Sequence, residues 1–413
     1  MKIAVIGSGI AGLSAAYYLS KNHKIDLFEK ESHFGGHSHT VAVTTKKNTT
    51  IYVDVGFIVF NYLTYPNLIN FFKENDVEIE KSNMSFSVSV KGTSVEYCGK
   101  GINGIFSNKY NLFDYKFIKM FYDIINFYKK NQKNIQNYEN ITLEDYLTKE
   151  NLSKYFIEYH LIPMVSAIWS MPPYEAKKMP LQLFLNFFQN HGLFKLSNRP
   201  QWYTVKNRSK TYVEKVLKKI SGEYYKNYPI LNIKRVSSGV QVFYGKNNEY
   251  FNYDKVIIAT HADDALKLIE NPTQQEKLIL RNFSYKINKA YLHFDENVMP
   301  KNKKNWSSWN STIDKDISKG SSLTYWLNIL QNLKTEENIF LTLNPFFEIK
   351  KNKIYKEIEF THPYYDQNTI DNQKKLIQLQ NSNNILFCGS YFGYGFHEDA
   401  IKSSIEMVKI LND

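Results

Sequence analysis

The chain has 413 residues, a formal net charge of +12, and 43% hydrophobic against 22% charged residues, which is long enough for two domains and excludes a fibrous or disordered polymer. Nearly all the positive charge is lysine, with Arg199, Arg208, Arg235 and Arg281 the only arginines, so the planar fork that suits bases and phosphates is scarce and nucleic-acid recognition is disfavoured. No stretch reaches the roughly 18 apolar residues that span a bilayer, no signal peptide is read at the N-terminus, and Cys98 and Cys388 form neither a disulfide framework nor a metal pattern, which together fit a cytoplasmic chain without a metal site.

The first thirty residues spell a dinucleotide-binding unit. Ile3, Ala4, Val5 and Ile6 make a short apolar strand, Gly7, Gly9 and Gly12 fill a G-x-G-x-x-G turn, and residues 13–20 read as the helix it opens onto. The first glycine permits the tight turn, the second lets backbone approach a diphosphate, and the third lets helix and strand pack closely, with Ile10 and Ala11 completing the candidate contacts. Residues 25–29 are the next strand, and Glu29 stands at the offset where a carboxylate bonds adenosine ribose hydroxyls, with Lys30 beside it. His33, Gly35, Gly36 and His37 follow as a second glycine-rich segment.

Farther along, helical periodicity covers residues 66–75, 111–130, 143–159 and 180–190, and strand alternation covers 85–90, 290–294 and 340–343. Gly99, Gly101 and Gly104 repeat the glycine spacing, but after a polar strand and without a second strand carrying an acid, so they read as a turn. The stripe at 111–130 reads first as core and second as a membrane-facing surface. Residues 229–236, 240–244 and 255–260 read as a strand meander returning to the dinucleotide-binding unit, and 385–389 as a strand running into a loop with Gly389, Ser390, Gly393 and Gly395 before a helix that starts near His397 and Glu398. N–H groups at that helix start would favour negative charge on a bound ring system.

These segments resemble the flavin-containing amine oxidase and protoporphyrinogen oxidase superfamily. In addition, Asp54 to Asn61, Phe187 to Gly192, Arg199 to Trp202 and Gly393 to Asp399 are similar to bacterial FAD-binding, amine-oxidase-like proteins that also resemble the N-terminal domain of plant cyclopropane fatty acid synthases. The resemblance implies FAD bound non-covalently, because Cys388 does not stand where covalent flavin is attached. Gly35, Gly36 and His37 would line the diphosphate, and Ile230 would pack near adenine. Lys289 would be the lysine that holds a water near the flavin, and His397 would lie beside the ring system as a second candidate catalytic residue able to act as a base near neutral pH. The sequence departs from the pattern at His33 and His37, where arginines are usual, at Tyr391, where an acid is usual, and at Lys206 to Ser209, where a Gly-Gly is usual; Asn207 can take the left-handed turn.

The implied fold is α/β, α+β overall: a discontinuous Rossmann-like FAD-binding domain of residues 1–75, 205–265 and 380–413, with an inserted sheet-plus-helices substrate domain of residues 76–204 and 266–379. The function implied is a FAD-dependent oxidoreductase that takes a hydride from a small hydrophobic substrate, a fatty acyl or modified lipid chain, in a cavity rich in aromatics such as Trp169, Trp202, Trp306, Trp309, Tyr325 and Trp326. Peripheral contact with the inner face of a membrane is compatible with the basic surface. The alternatives are amine or polyamine oxidation and a non-catalytic flavin-binding partner of a lipid-modifying methyltransferase.

Overall fold

The computed structural model describes residues 1–133, 138, 140–195 and 198–412, so the stretches 76–204 and 380–413 each contain positions outside the described set. A five-stranded parallel sheet runs Tyr224–Tyr225, Lys24–Phe28, Lys2–Ile6, Lys255–Ile258, Ile385–Phe387, drawing its strands from three remote parts of the chain. Its strands are near-continuous apolar runs because both faces are covered. Ile3, Val5, Ile25 and Leu27 pack in one core with residues of the helices Ile10–Leu19 and His397–Asn412, while Ala4, Ile6, Phe28 and Val256 pack on the other side with the meander. The helix Ile10–Leu19 is apolar on most sides, as a helix between a sheet and another helix must be.

The meander gains a strand that the sequence reading did not name. Its third strand is Glu249–Tyr253, and Lys255–Ile258 instead joins the parallel sheet beside Lys2–Ile6, which tertiary pairing decides and local pattern does not.

A second, seven-stranded mixed sheet has the order Ile354–Tyr364, Ser284–His293, Phe340–Leu343, Ser321–Trp326, Trp309–Asp314, Phe86–Lys91, Glu96–Cys98. Ala290, Leu292, Leu341 and Leu343 pack on Val41, Val43 and Val53 of the hairpin Thr40–Thr44 and Thr50–Asp54, and Val88, Val90 and Ile313 pack in the helical layer. In that layer the stretch 143–159 is not one helix. Thr142 and Asp145 form a capping box for Leu143–Lys149, the chain breaks at Glu150 in extended conformation, and Ser153 caps a new start. Gly101–Ile105 is a one-turn helix rather than a turn, but it follows the three-residue antiparallel strand Glu96–Cys98. Asn207 adopts φ 63° and Arg208 φ 81°, so the turn persists without glycine. No helix among the described residues is long and apolar enough to cross a membrane.

Asp54 ties the hairpin to the next element of the cofactor half. Its carboxylate accepts from Thr40 Oγ1 (2.6 Å), Ser209 N (2.8 Å) and Ser209 Oγ (2.7 Å), and its backbone exchanges hydrogen bonds with the Gln331 amide. Burial outweighs these bonds and lifts its pKa to about 6. Asp54→Ala leaves buried donors unsatisfied and is expected to destabilise the protein by about 3 kcal/mol, read as a shift in the urea unfolding midpoint; an unchanged midpoint counts against this role.

Candidate functional site

The three glycines of the first turn do different work. A Cβ on Gly7, which has φ 98°, would lie 2.8 Å from the Ala259 carbonyl oxygen, and one on Gly12 would lie 1.9 Å from the Gly7 oxygen, so both positions are closed by packing. At Gly9 nothing lies within 4 Å of the added atom. That open space faces the N-terminus of Ile10–Leu19, which has no side-chain cap and no acid in its first turn, including at Ile10 and Ala11. An uncapped helix start under an open glycine is a cradle for a diphosphate.

The second glycine segment closes over the first. Gly36, at φ 55°, places its side-chain position 3.1 Å from Gly9 Cα, and the Gly35 N–H donates to Ser8 O and Ser8 Oγ, both at 3.1 Å. Glu29 is buried at the edge of this loop pair, where it accepts from Ser8 N at 3.0 Å, from Ser8 Oγ, and from Glu31 N at 2.9 Å. Ser8, which the sequence reading passed over inside the motif, thus holds both the acid and Gly35. Ile230 begins its strand two residues after Tyr228, whose N–H donates to the Glu29 carbonyl at 2.8 Å. Lys30 points outward and pairs with Asp264 at 3.6 Å.

Beyond the glycines lies a group of histidines from four parts of the chain. The His37 ring is 5.4 Å from both Phe360 and His362, and its Nε2 is buried without a hydrogen-bond partner. His397 stacks on Phe57 at 3.8 Å and its Nε2 lies 3.1 Å from Ser38 Oγ, which also meets the Tyr212 hydroxyl. His261 stacks on Tyr285 at 4.1 Å. Burial drives all of these imidazoles toward neutrality, with His397 lowered to about 3, His362 to about 4, and His37 and His261 also lowered, the neighbouring imidazoles adding to the effect at His37 and His362. The orphaned His37 Nε2 and the open cradle at Gly9 fit an extended polar ligand such as a dinucleotide.

The structure specifies the surroundings of three expected site residues. His397 is in the group, but desolvation keeps it neutral, so it is a hydrogen-bond partner and not a base near neutral pH. The Glu398 side chain is committed elsewhere, since it accepts from Asn67 N (3.0 Å), Asn67 Nδ2 (2.7 Å) and Leu68 N (3.0 Å) at the otherwise uncapped start of helix Pro66–Glu74. Lys289 is exposed and stands four residues from Tyr285, the ring that His261 stacks on. In the pair of strands Ser284–His293 and Ile354–Tyr364, Lys289 is opposite Glu359, whereas Phe360 and His362, which contact His37, are opposite Asn288 and Lys286 on the other face. Gly389 donates to Ser403 Oγ at 2.9 Å and packs on the Tyr391 ring, which fills the position where an acid is usual, and Ser390 opens the single turn Ser390–Phe392.

A cleft of about 530 Å³ opens beside Lys286 to Lys289, where Phe340–Leu343 ends and Asn344 bonds both the N–H and the carbonyl of Lys289. Met171, Leu323, Leu343 and Phe346 make its apolar wall, and Glu175, buried and ion-paired to Lys286, its polar one. No tryptophan lines it; Trp169 and Trp306 are buried in separate cores. Glu175 and Lys286 are distant in sequence, so no motif announced them.

A family model of NAD(P)-binding Rossmann-like domains matches residues 5–74. No curated protein sequence matches the chain. Among solved structures, the CLA-producing fatty acid isomerase from P. acnes is 12% identical, with 99% of this chain and 98% of that one covered at a TM-score of 0.68. Putrescine oxidase, in its wild type bound to putrescine, is 12% identical with full coverage of both chains and a TM-score of 0.69. Cyclohexylamine oxidase from Brevibacterium oxydans IH-35A is 13% identical, covering 100% of this chain and 99% of that one at 0.66. The chain has the amine-oxidase fold. The similarity runs end to end, so the inserted sheet and helices belong to the same architecture as the parallel sheet.

The lowered imidazoles set an acid limit. A histidine whose folded pKa lies below its unfolded 6.5 binds fewer protons when folded, so its contribution is whole above pH 6.5 and is lost as pH falls toward 4. The unfolding free energy is expected to drop between pH 6.5 and 4 by up to about 1.4 kcal/mol per pH unit for each such imidazole. The slope should lessen in His362→Gln, and a profile that is flat over this window in urea titrations overturns the assignment.

Proposed function

We propose that the chain binds FAD non-covalently and is an oxidoreductase acting on a hydrophobic substrate, with an acyl or modified lipid chain as the first choice. The observation that carries the reading is the open, uncapped cradle at Gly9 beside the buried Glu29. Gly9, Ile10 and Ala11 would take the diphosphate on backbone N–H groups, and Glu29 the ribose hydroxyls. Gly35 and Gly36 would close the loop pair over them. Bound FAD supplies a two-electron acceptor for an activated C–H bond.

The residues on the ring side have a different task. His37 and His362, neutral and half-buried, offer N–H and N groups without fixed charge, while the buried Phe57 and Phe360 exclude water. Cys388 is buried with its thiol pushed up to about 12, which suits a packing role rather than covalent attachment. The apolar wall of the 530 Å³ cleft suits an acyl chain, and one fold neighbour is a fatty acid isomerase.

A second reading, oxidation of an amine, has one observation in its favour. Glu175 Oε2 is buried in the cleft without a partner, and a carboxylate there would accept from an ammonium group.

Purified protein is expected to be yellow and to release intact FAD on denaturation. Gly9→Ala has room for its methyl group and is expected to fold with an unchanged melting temperature while losing flavin by tenfold or more in affinity. A colourless protein that stays colourless with added FAD overturns the proposal. Anaerobic mixing then separates the substrates: bleaching of the flavin absorbance by fatty acyl lipids supports the first reading, bleaching by amines alone the second, and bleaching by neither a flavin-binding role without turnover.

A further inference from the structure

The helix Tyr115–Lys133 and the turn that leads into it carry apolar side chains on two faces. Phe117, Met120, Ile124, Phe127 and Tyr128 point inward and are buried in the helical layer. Tyr115, Ile118, Tyr122 and Ile125, spaced i, i+3, i+7 and i+10, form a second stripe that faces outward, with Tyr115 75% and Tyr122 64% exposed. Phe113, at 89%, and Tyr110, at 76%, stand just before the helix start and extend the apolar surface. A helix apolar on both sides is ordinarily buried on both, and this outward face lacks a partner among the described residues.

The charges around the stripe indicate what covers it. Residues 102–130 hold five lysines, 109, 116, 119, 129 and 130, and two acids, Asp114 and Asp123, for a net of +3. Both acids are committed to the protein: Asp114 Oδ1 accepts from Lys116 N and Phe117 N at the helix start, and Asp123, which is buried, accepts from Ser153 N and pairs with Lys119. Lys109, Lys116 and Lys129 are exposed, Lys129 in line with the stripe and Lys109 and Lys116 near its start. Tyrosines and long aliphatics flanked by lysines, on a helix lying along the surface, match the chemistry of a bilayer interface, where rings sit at headgroup depth and ammonium groups meet lipid phosphates.

We propose that this face docks the protein on an anionic lipid bilayer, with Phe113, Tyr115 and Tyr122 entering the headgroup region and Lys109, Lys116 and Lys129 contacting the phosphates. The inference rests on the surface alone and holds whether or not flavin is bound.

The test is flotation of the full-length protein with vesicles of phosphatidylcholine alone and of phosphatidylcholine mixed with phosphatidylglycerol, alongside sedimentation velocity without lipid. Binding is expected on the anionic vesicles only, weakened by salt. Lys109→Glu, Lys116→Glu and Lys129→Glu combined should reduce it at least on the order of a hundredfold. Phe113→Ser with Tyr122→Ser should abolish it with an unchanged melting temperature and unchanged flavin content. Absence of binding to either vesicle overturns the proposal. So does a dimer in sedimentation that the Phe113 and Tyr122 substitutions dissolve, since the face then belongs to a second copy.

Discussion

The close approach of backbone to backbone at the first glycine turn is the contact on which the cofactor half depends. With 1.9 Å between a would-be Gly12 Cβ and the Gly7 oxygen, the helix Ile10–Leu19 can lie against the sheet only because that atom is missing. The same proximity brings Ser8 to Glu29 and to Gly35, so that strand end, loop and second glycine segment become one rigid rim. A single omitted methyl group thereby sets the position of the acid, the helix N-terminus and the open space at Gly9.

Around that rim the protein assembles a surface of aromatic rings and imidazoles with little fixed charge. His37, His261, His362 and His397 arrive on separate segments and are neutral because each is taken out of water beside aromatic rings or other imidazoles. The carboxylates that a sequence search would assign to the same region serve as structural caps: Glu398 completes the start of Pro66–Glu74, and Asp399 accepts from Phe396 N at 2.9 Å and so caps its own helix. Charge is kept farther out, at the Glu175 and Lys286 pair in the cleft.

The helical layer shows how one pattern can serve two surfaces. In Tyr115–Lys133 the apolar residues exceed what one stripe can bury, and the surplus is turned outward between lysines. The core reading of the stripe accounts for Phe117, Met120, Ile124, Phe127 and Tyr128, and 3.6 residues per turn leave room for the second, exposed row on the same helix.

By itself the sequence determined the parts whose cause is local. The order strand, glycine turn, helix and acid over residues 2–29 follows from contacts within thirty residues, and the left-handed turn at Asn207 follows from that side chain's tolerance for positive φ. Only the tertiary structure decided what depends on distant pairing: that Lys255–Ile258 lies between Lys2–Ile6 and Ile385–Phe387, that Lys289 pairs opposite Glu359 while Lys286 pairs opposite His362, that Glu398 is occupied, and that His362 meets His37. The physical reason is that a strand's alternation assigns residues to two faces but does not say which face is buried or by what, and solvent exclusion, which sets the charge state of every imidazole in the site, exists only once remote segments have closed over them.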